Sequence, residues 1–172
     1  MDFNENEKKL IQSFDVSKVL IVDDDLPTQL LLSAAVTQWG YQAVVASDGE
    51  EAWEILQKPD APHLLILDWL MDKLNGLELC ERIRKKLDDY PYIIFLTQVS
   101  GAANIMRGLE AGADEFLLKP INLPELRLRV TGGEKIVKFL QIIKNQKKGL
   151  QQAAVYIDTL ERIICTIGEG IK

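Results

Sequence analysis

The sequence predicts an α/β fold in which five parallel strands form one sheet with helices packed on both faces. Five short apolar runs alternate along the chain with segments of helical periodicity, which is typical of βαβ units. The runs are apolar throughout, and this favours strands that are covered on both faces. Because right-handed crossovers place the loops after the strands at one edge of such a sheet, we expect a ligand site at that carboxyl edge.

Each element is predicted from its apolar pattern and from the residues that flank it. The first helix ends at Gly40, and the second begins at Asp48, whose carboxylate suits a helix N-cap with Glu51 three residues on. In chain order we predict strand 18–22, helix 26–40, strand 41–47, helix 48–57, strand 63–67, helix 76–87, strand 92–96, helix 102–112, strand 115–119 and a helix that begins at 123.

A long helical segment is predicted to follow the fifth strand–helix unit. After Gly132 and Gly133, residues 134–167 carry apolar side chains in a heptad-like spacing that contains a stammer. Two interpretations remain open: self-association through a coiled coil or bundle, and an amphipathic helix that folds back onto its own domain. The positions concerned are Ile136, Leu140, Ile143, Leu150, Ala154, Ile157, Leu160, Ile164 and Ile167, with Lys147 in one seam position.

Charge and composition narrow the classes of protein that fit. Residues 1–134 carry a net charge of −10 and residues 135–172 a net charge of +4. The acidic main body argues against direct binding of nucleic acid. No stretch approaches the ~20 consecutive apolar residues that span a bilayer, and the N-terminus lacks a signal peptide's apolar run, so we expect a cytoplasmic location. The predicted division is an N-terminal tail (1–17), a main domain (18–131) and a C-terminal helical or coiled-coil extension (132–172).

Polar side chains follow four of the predicted strands at the carboxyl edge. Asp23 and Asp24 come after the first strand, Asp68 after the third, Thr97 after the fourth, and Lys119 ends the fifth. Neighbouring carboxylates repel one another, and an oxygen-rich cluster of this kind suits Mg²⁺ or Mn²⁺. A lysine ammonium and a threonine hydroxyl suit the oxygens of a phosphoryl group. The edge therefore carries the groups that phosphoryl transfer needs.

Four motifs occur in order: VLIVDDD (19–25), LILDWLM (65–71) followed by Gly76, IIFLT (93–97) and GADEFLLKP (112–120). Together they resemble the response-regulator receiver domain of two-component signalling, and the resemblance covers residues 18–131. It implies a flavodoxin-like (βα)5 fold with strand order 2-1-3-4-5. It also implies a cis peptide bond between Lys119 and Pro120.

The resemblance also implies a catalytic and a metal-binding role for the carboxylates. Asp68 would be the nucleophile that accepts the phosphoryl group as an acyl phosphate. Asp23 and Asp24 would hold Mg²⁺ together with Asp68 and the backbone carbonyl of Leu70.

A conformational switch follows from the same resemblance. Thr97 and Lys119 would bind the phosphoryl oxygens, and movement of Thr97 would let Phe116 turn inward. The face formed by the fourth helix, the fifth strand and the fifth helix would then change, and partners would read that change.

Several positions depart from the family pattern. Asp72 stands where proline is usual, and Gln98 stands where a small residue is usual and could narrow the path to the acceptor. Phe116 replaces the common tyrosine. None of these changes removes a group that phosphorylation needs. Leu70 and Val99 are apolar at positions that tune hydrolysis in the family, which predicts slow autodephosphorylation.

The expected function is a phosphorylation-controlled signalling switch and not a metabolic enzyme. Its only chemistry would be Mg²⁺-dependent self-phosphorylation from a phosphodonor and autodephosphorylation. The phosphoryl group would come from a histidine kinase or a histidine phosphotransfer protein. Output would pass to a linked or separate domain, or through a homodimer formed by the C-terminal helix or by the face described above. The chain is expected to be either a fragment of a longer regulator or a stand-alone receiver.

Two other classes of function stay open. A phosphatase with an aspartate nucleophile would carry a second aspartate two residues after Asp68, where this chain has Leu70. A receiver-like scaffold that is never phosphorylated would not need the acidic cluster, Thr97 and Lys119, all of which are intact.

Overall fold

The structure is a computed structural model that describes residues 16–71, 73–98 and 102–169, with the backbone alone at 102, 103, 158 and 160–169. The strands are β1 (Lys18–Val22), β2 (Gln42–Ala46), β3 (Leu64–Asp68), β4 (Tyr92–Thr97) and β5 (Glu115–Leu118). The helices are α1 (Leu26–Gln38), α2 (Gly49–Leu56), α3 (Gly76–Lys86), α4 (Ala102–Glu110) and α5 (Leu123–Glu169). Each predicted strand and helix is present, and some ends are shifted by about one or two residues.

The five strands form one parallel sheet in the order β2-β1-β3-β4-β5, which confirms the predicted flavodoxin-like fold. β3 and β4 are buried along their whole length. Their register pairs Asp68 with Leu96, one residue before Thr97. The carboxyl ends of these two central strands therefore lie side by side, where the sequence predicted the site.

Both faces of the sheet are covered by helices. On one face, Leu20, Leu65 and Phe95 belong to a cluster that includes residues of α2 and α3. On the other face, Ile21 and Ile66 belong to a cluster that includes residues of α1 and α5. Successive side chains of a strand point to opposite faces, so a strand covered on both faces must be apolar at every position. Each such buried side chain stabilises the fold by roughly 1.5–3 kcal/mol.

The turn from β1 into α1 carries the acidic residues, and hydrogen bonds fix it. Asp25 caps α1, because its carboxylate accepts the backbone N–H of Thr28 at 3.0 Å and the hydroxyl of the same residue at 2.6 Å. The backbone N–H of Asp23 donates to the carbonyl of Ala46, at the end of β2, at 3.3 Å. The turn is thus held by its own helix and by the neighbouring strand.

α5 runs without interruption through the glycine pair, so the helical segments predicted on either side of it form one helix. The backbone at Gly133 passes so close to Tyr92 that a Cβ there would collide with the ring, whereas a Cβ at Gly132 would meet open space. Val137, one turn later, is 1% exposed and belongs to the core. The described residues up to Lys138 form one compact unit.

The part of α5 from Phe139 onward belongs to a second unit. Its heptad-like positions are exposed: Ile143 by 55%, Leu150 by 73% and Ile157 by 55%. The side chains of Leu160, Ile164 and Ile167 lie outside the described residues. Self-association through this helix stays a prediction. No helix in the described part of the chain is both long enough and apolar enough to cross a bilayer.

Candidate functional site

Three carboxylates meet at the carboxyl edge of the sheet, as the sequence predicted. One oxygen from each of Asp23, Asp24 and Asp68 lies within 4.8 Å of the others. Asp23 is 1% exposed and Asp68 is 7% exposed, whereas Asp24 is open to solvent. Because β1 and β3 are neighbours in register, the residues at and after their ends are brought together by the backbone.

The ammonium of Lys119 lies between the two buried carboxylates. Its Nζ is 3.0 Å from Oδ2 of Asp23 and 3.1 Å from Oδ1 of Asp68. Burial lowers the pKa of Lys119, but the hydrogen bonds and charges of both carboxylates outweigh burial, so the pKa lies above its ordinary value. The lysine is therefore a fixed cation at this edge.

The pKa of Asp68 is raised because its nearby positive charge does not offset its burial. Burial raises its pKa, the charge of Lys119 lowers it, and the charge of Asp23 raises it, with a net result above the ordinary value. A divalent cation beside this carboxylate would oppose the contributions that raise the pKa. The site therefore favours a positively charged ligand in addition to the lysine.

The ends of β4 and β5 bring Thr97 and Lys119 to the same edge. The backbone N–H of Lys119 donates to the carbonyl of Thr97 at 2.8 Å, and that of Trp69 donates to the carbonyl of Leu96 at 3.1 Å. Thr97 is 1% exposed. The Lys119–Pro120 peptide bond is cis, as the resemblance implied. The structure thus gathers each polar site residue predicted from the strand ends.

A cavity of about 430 Å³ opens beside the carboxylates. It is lined by Asp24, Trp69, Leu70, Met71, Asn75, Leu77 and Arg107. Its volume far exceeds the ~30 Å³ that one water molecule occupies in the liquid, so the cavity has room for a ligand larger than a water molecule. Leu70 is 58% exposed at its rim, and the role of the Leu70 carbonyl stays a prediction. Gln98 is exposed and outside this lining, while Asp72 and Val99 lie outside the described residues.

Phe116 packs inward in this structure. Its ring centroid lies 5.4 Å from that of Phe95 and 6.0 Å from that of Trp69. Gly108 on α4 makes this packing possible, because a Cβ at that position would collide with the Phe116 ring. Since Trp69 directly follows Asp68, the three rings connect the end of β3 with α4. The switching role assigned to Phe116 stays a prediction.

Two residues near the site were not identified from the sequence. Gln29 on α1 is buried, and its Nε2 donates to the backbone carbonyl of Asp23 at 2.6 Å. Arg107 reaches the cavity from α4. The glutamine within the apolar run LPTQLLL was a usable signal, because a polar residue on a buried helix face needs a partner. Nothing in the sequence separates Arg107 from an ordinary surface arginine.

The oxygen donors of the cluster fit a small divalent cation. Mg²⁺ takes oxygen ligands at about 2.0–2.1 Å in octahedral geometry, so opposite ligands are about 4.2 Å apart. The three carboxylate oxygens, which lie within 4.8 Å of one another, come close to that span. Since the donors are all carboxylates, without the thiolates or imidazoles that zinc favours, Mg²⁺ or Mn²⁺ suits the cluster better.

Comparison with known protein families matches most of the compact unit. The family model described as the response regulator receiver domain matches residues 19–131. A solved structure, that of the Francisella response regulator 1452 receiver domain, is 31% identical and superposes with a TM-score of 0.64. The superposition covers 69% of this chain and 97% of that domain.

Longer regulators are also similar to this chain. The probable transcriptional regulator ycf27 of Cyanophora paradoxa is 35% identical over 157 residues, which cover 90% of this chain and 64% of that protein. The response regulator MprA of Mycobacterium leprae (strain TN) is 40% identical over 113 residues, which cover 66% of this chain and 49% of that protein. The chain thus spans about half to two thirds of the length of these curated relatives.

Proposed function

We propose, since this chain belongs to the response regulator receiver family, that Asp68 accepts a phosphoryl group and that the chain works as a phosphorylation-controlled signalling switch. The observation that carries the proposal is the buried cluster at the carboxyl edge, in which one ammonium bonds both Asp23 and Asp68. A carboxylate nucleophile, a hard-cation site and a fixed cationic donor are the groups that phosphoryl transfer to an aspartate requires.

The side chains act mainly by positioning and by charge. An oxygen of Asp68 attacks the phosphorus of a phosphohistidine on a histidine kinase or phosphotransfer protein. The new O–P bond forms as the P–N bond breaks, and the electron pair of that bond stays on the imidazole nitrogen. Lys119 donates charge-assisted hydrogen bonds to the phosphoryl oxygens, and the hydroxyl of Thr97 donates a neutral one.

The metal requirement follows from the charges at this edge. When bound by Asp23, Asp24, Asp68 and the carbonyl of Leu70, Mg²⁺ offsets the negative charge that the donor brings to an already acidic cluster. Without such a cation, the approach of an anionic phosphoryl group is opposed by Asp23 and Asp68, two carboxylates that share one lysine.

The signal is proposed to leave the receiver by two routes. One is the surface of α4, β5 and α5, where Phe116 lies against α4. The other is the C-terminal part of α5, whose exposed apolar positions suit a homodimer. A linked or a separate output domain is compatible with either route. We expect a cytoplasmic protein. We also expect that it does not itself contact nucleic acid, because residues 1–134 carry a net negative charge.

Labelling with a small phosphodonor tests the proposal. The full chain is incubated with acetyl phosphate and Mg²⁺, and its intact mass is measured. Wild type is expected to gain one phosphoryl group, Asp68→Asn none, and the control Asp60→Asn, altered at an exposed carboxylate, one. An unlabelled wild type would favour the non-phosphorylated scaffold. Steady hydrolysis of phosphate esters would favour the phosphatase.

The lifetime of the phosphorylated state is a second proposal on the same site. Leu70 lines the cavity and is apolar, so it does not help to place an attacking water. We expect the acyl phosphate of wild type to persist, and Leu70→Asn to shorten its lifetime. Loss of radiolabel from wild type within about a minute would contradict this expectation.

A further inference from the structure

We propose that Gln29 is a positioning residue for the metal site. Its side-chain amide fixes the peptide unit between Asp23 and Asp24 and so sets how these two carboxylates face a divalent cation. This inference rests on the proposed function, because it concerns the cation that phosphorylation of Asp68 would require.

Gln29 is an exception among the buried residues of α1. It is 8% exposed, and the other buried residues of this helix are Leu32, Ala35 and Val36. Its Nε2 donates to the carbonyl oxygen of Asp23 at 2.6 Å and lies 3.4 Å from Oγ of Ser47. A buried amide is kept at such a position only when its hydrogen bonds offset the cost of removing it from water.

Gln29 contacts a backbone atom that is shared between the two carboxylate residues, the carbonyl oxygen of the peptide bond from Asp23 to Asp24. The carbonyl of Asp23 belongs to the same planar peptide unit as the N–H of Asp24, so a bond to this oxygen restricts rotation of that unit. Rotation of the unit would change the backbone angles of both residues and swing their carboxylates relative to each other. The amide therefore fixes the geometry of two proposed metal ligands from a helix that supplies none.

Three further contacts hold Asp23 at its backbone nitrogen and its side chain. Its backbone N–H donates to Ala46, and its carboxylate accepts the N–H of Asp25 at 2.9 Å and the ammonium of Lys119 at 3.0 Å. The bond from Asp25 also closes a turn across the peptide unit between Asp23 and Asp24 and so limits its rotation. The bond from Gln29 fixes the carbonyl, so the residue is held at each of its polar positions. Groups that orient metal ligands in this way contribute strongly to metal affinity although they never touch the metal.

Magnesium affinity separates positioning from ordinary packing. Gln29→Met keeps the length of the side chain and removes the donor. Val36→Ala, on the same helix, removes core packing and leaves the contact to Asp23 in place. For each full-length variant, Mg²⁺ is titrated while tryptophan emission is recorded, because Trp69 lines the cavity beside the cluster. Thermal unfolding of each variant is measured in parallel.

Gln29→Met is expected to raise the Mg²⁺ dissociation constant about 10-fold or more. Val36→Ala is expected to lower the unfolding temperature and to keep the dissociation constant within roughly twofold of the wild-type value. Equal Mg²⁺ affinity in wild type and Gln29→Met would overturn the inference and leave the proposed function standing. A wild type that binds no Mg²⁺ would overturn both. If Gln29→Met does not fold, Gln29→Asn, which withdraws the amide by one methylene, serves instead, and unchanged affinity there would also overturn the inference.

Discussion

Both edges of the sheet hold carboxylates beside a cation, and at the amino edge each oxygen of a half-buried carboxylate has partners within the protein. There, one oxygen of Asp114 accepts Nη2 of Arg84 at 2.8 Å and the backbone N–H of Ile93 at 2.7 Å. The other oxygen accepts the hydroxyl of Tyr90 at 2.8 Å. The guanidinium of Arg84 also donates to two backbone carbonyls and lies 3.9 Å from the centre of the Tyr90 ring.

The carboxyl edge uses similar groups but supplies one ammonium for two buried carboxylates. Asp23 and Asp68 share the ammonium of Lys119, with Asp24 close by, and burial raises the pKa of Asp68. Both edges thus combine carboxylates with a cation, but Asp23 and Asp68 are more deeply buried than Asp114 and share one ammonium between them. Removal of one partner from a fully hydrogen-bonded pair destabilises the fold, whereas a cluster with excess negative charge gains stability from a bound cation.

The largest effect on stability is expected at the amino edge. Arg84→Met leaves the half-buried carboxylate of Asp114 without its cation and removes two hydrogen bonds to backbone carbonyls, so the free energy of unfolding should fall by about 3 kcal/mol. Urea unfolding checks this value. Arg82→Met is the matched control, since this arginine pairs with Glu50 on the surface of the protein and its loss should cost less than about 1 kcal/mol. Equal losses of stability in the two variants would show that the Arg84–Asp114 pair contributes no more to the free energy of unfolding than a surface ion pair does.

A slightly smaller effect is expected at the carboxyl edge, on adding a ligand. With Mg²⁺ at about 100 times its dissociation constant, the free energy of unfolding of wild type should rise by about 2.7 kcal/mol relative to chelator. Asp23→Asn should lose most of this gain, because it removes one ligand of the cluster. Arg84→Met should keep the gain despite its lower starting stability. Urea unfolding in Mg²⁺ and in chelator measures the gain for both variants. A gain that survives Asp23→Asn would show that the stabilising Mg²⁺ does not bind at the carboxylate cluster.

The α5 backbone at the glycine pair also packs at the amino edge, where Tyr92 begins β4. Gly133→Ala should lower the free energy of unfolding by about 1–3 kcal/mol, because its methyl group would collide with the Tyr92 ring. Gly132→Ala, its neighbour in open space, should raise stability by up to about 1 kcal/mol through helix propensity. Thermal unfolding of both variants checks the sign. Stabilisation by Gly133→Ala would show that the helix does not pack closely on the ring.

The smallest predicted effect is the dependence of stability on pH, which should have opposite signs at the two edges. The pKa of Asp68 is raised above 3.8, chiefly by burial, so its contribution to stability is lost as pH rises. Burial raises the pKa of Glu134, but hydrogen bonds from Lys138 and Tyr41 outweigh it and hold the pKa below 4.5. The contribution of Glu134 is therefore present above pH 4.5 and is lost as pH falls through its folded pKa.

Two variants in chelator measure these opposite signs. Between about pH 3.5 and 7, Asp68→Asn should become more stable relative to wild type, and Glu134→Gln should become less stable. Urea unfolding at the two pH values gives both differences. A common sign for the two variants would contradict the contrast between the edges.

Whether a feature could be predicted from the sequence depends on how far apart along the chain its interacting residues lie. The strands and the acceptor site were predictable, because continuous apolar runs mark buried parallel strands and Asp68 follows such a run directly. The network of Arg84 and Asp114 was not, because its members are 30 residues apart and each is typical of a surface. The close approach of Gly133 to Tyr92 was hidden for the same reason, and a glycine pair in a sequence suggests a break rather than a contact.

Chemical mapping of the phosphorylated residue shows whether Asp68, and no other carboxylate, accepts the phosphoryl group. The chain is phosphorylated with phosphoramidate, a donor with a P–N bond, in Mg²⁺ or in chelator, and is then reduced with borohydride, which converts an aspartyl phosphate to homoserine. We expect homoserine at position 68 in the Mg²⁺ sample, and aspartate at 23, 24 and 114. Homoserine at Asp114 or at another carboxylate, or equal conversion of Asp68 in chelator, would contradict this expectation.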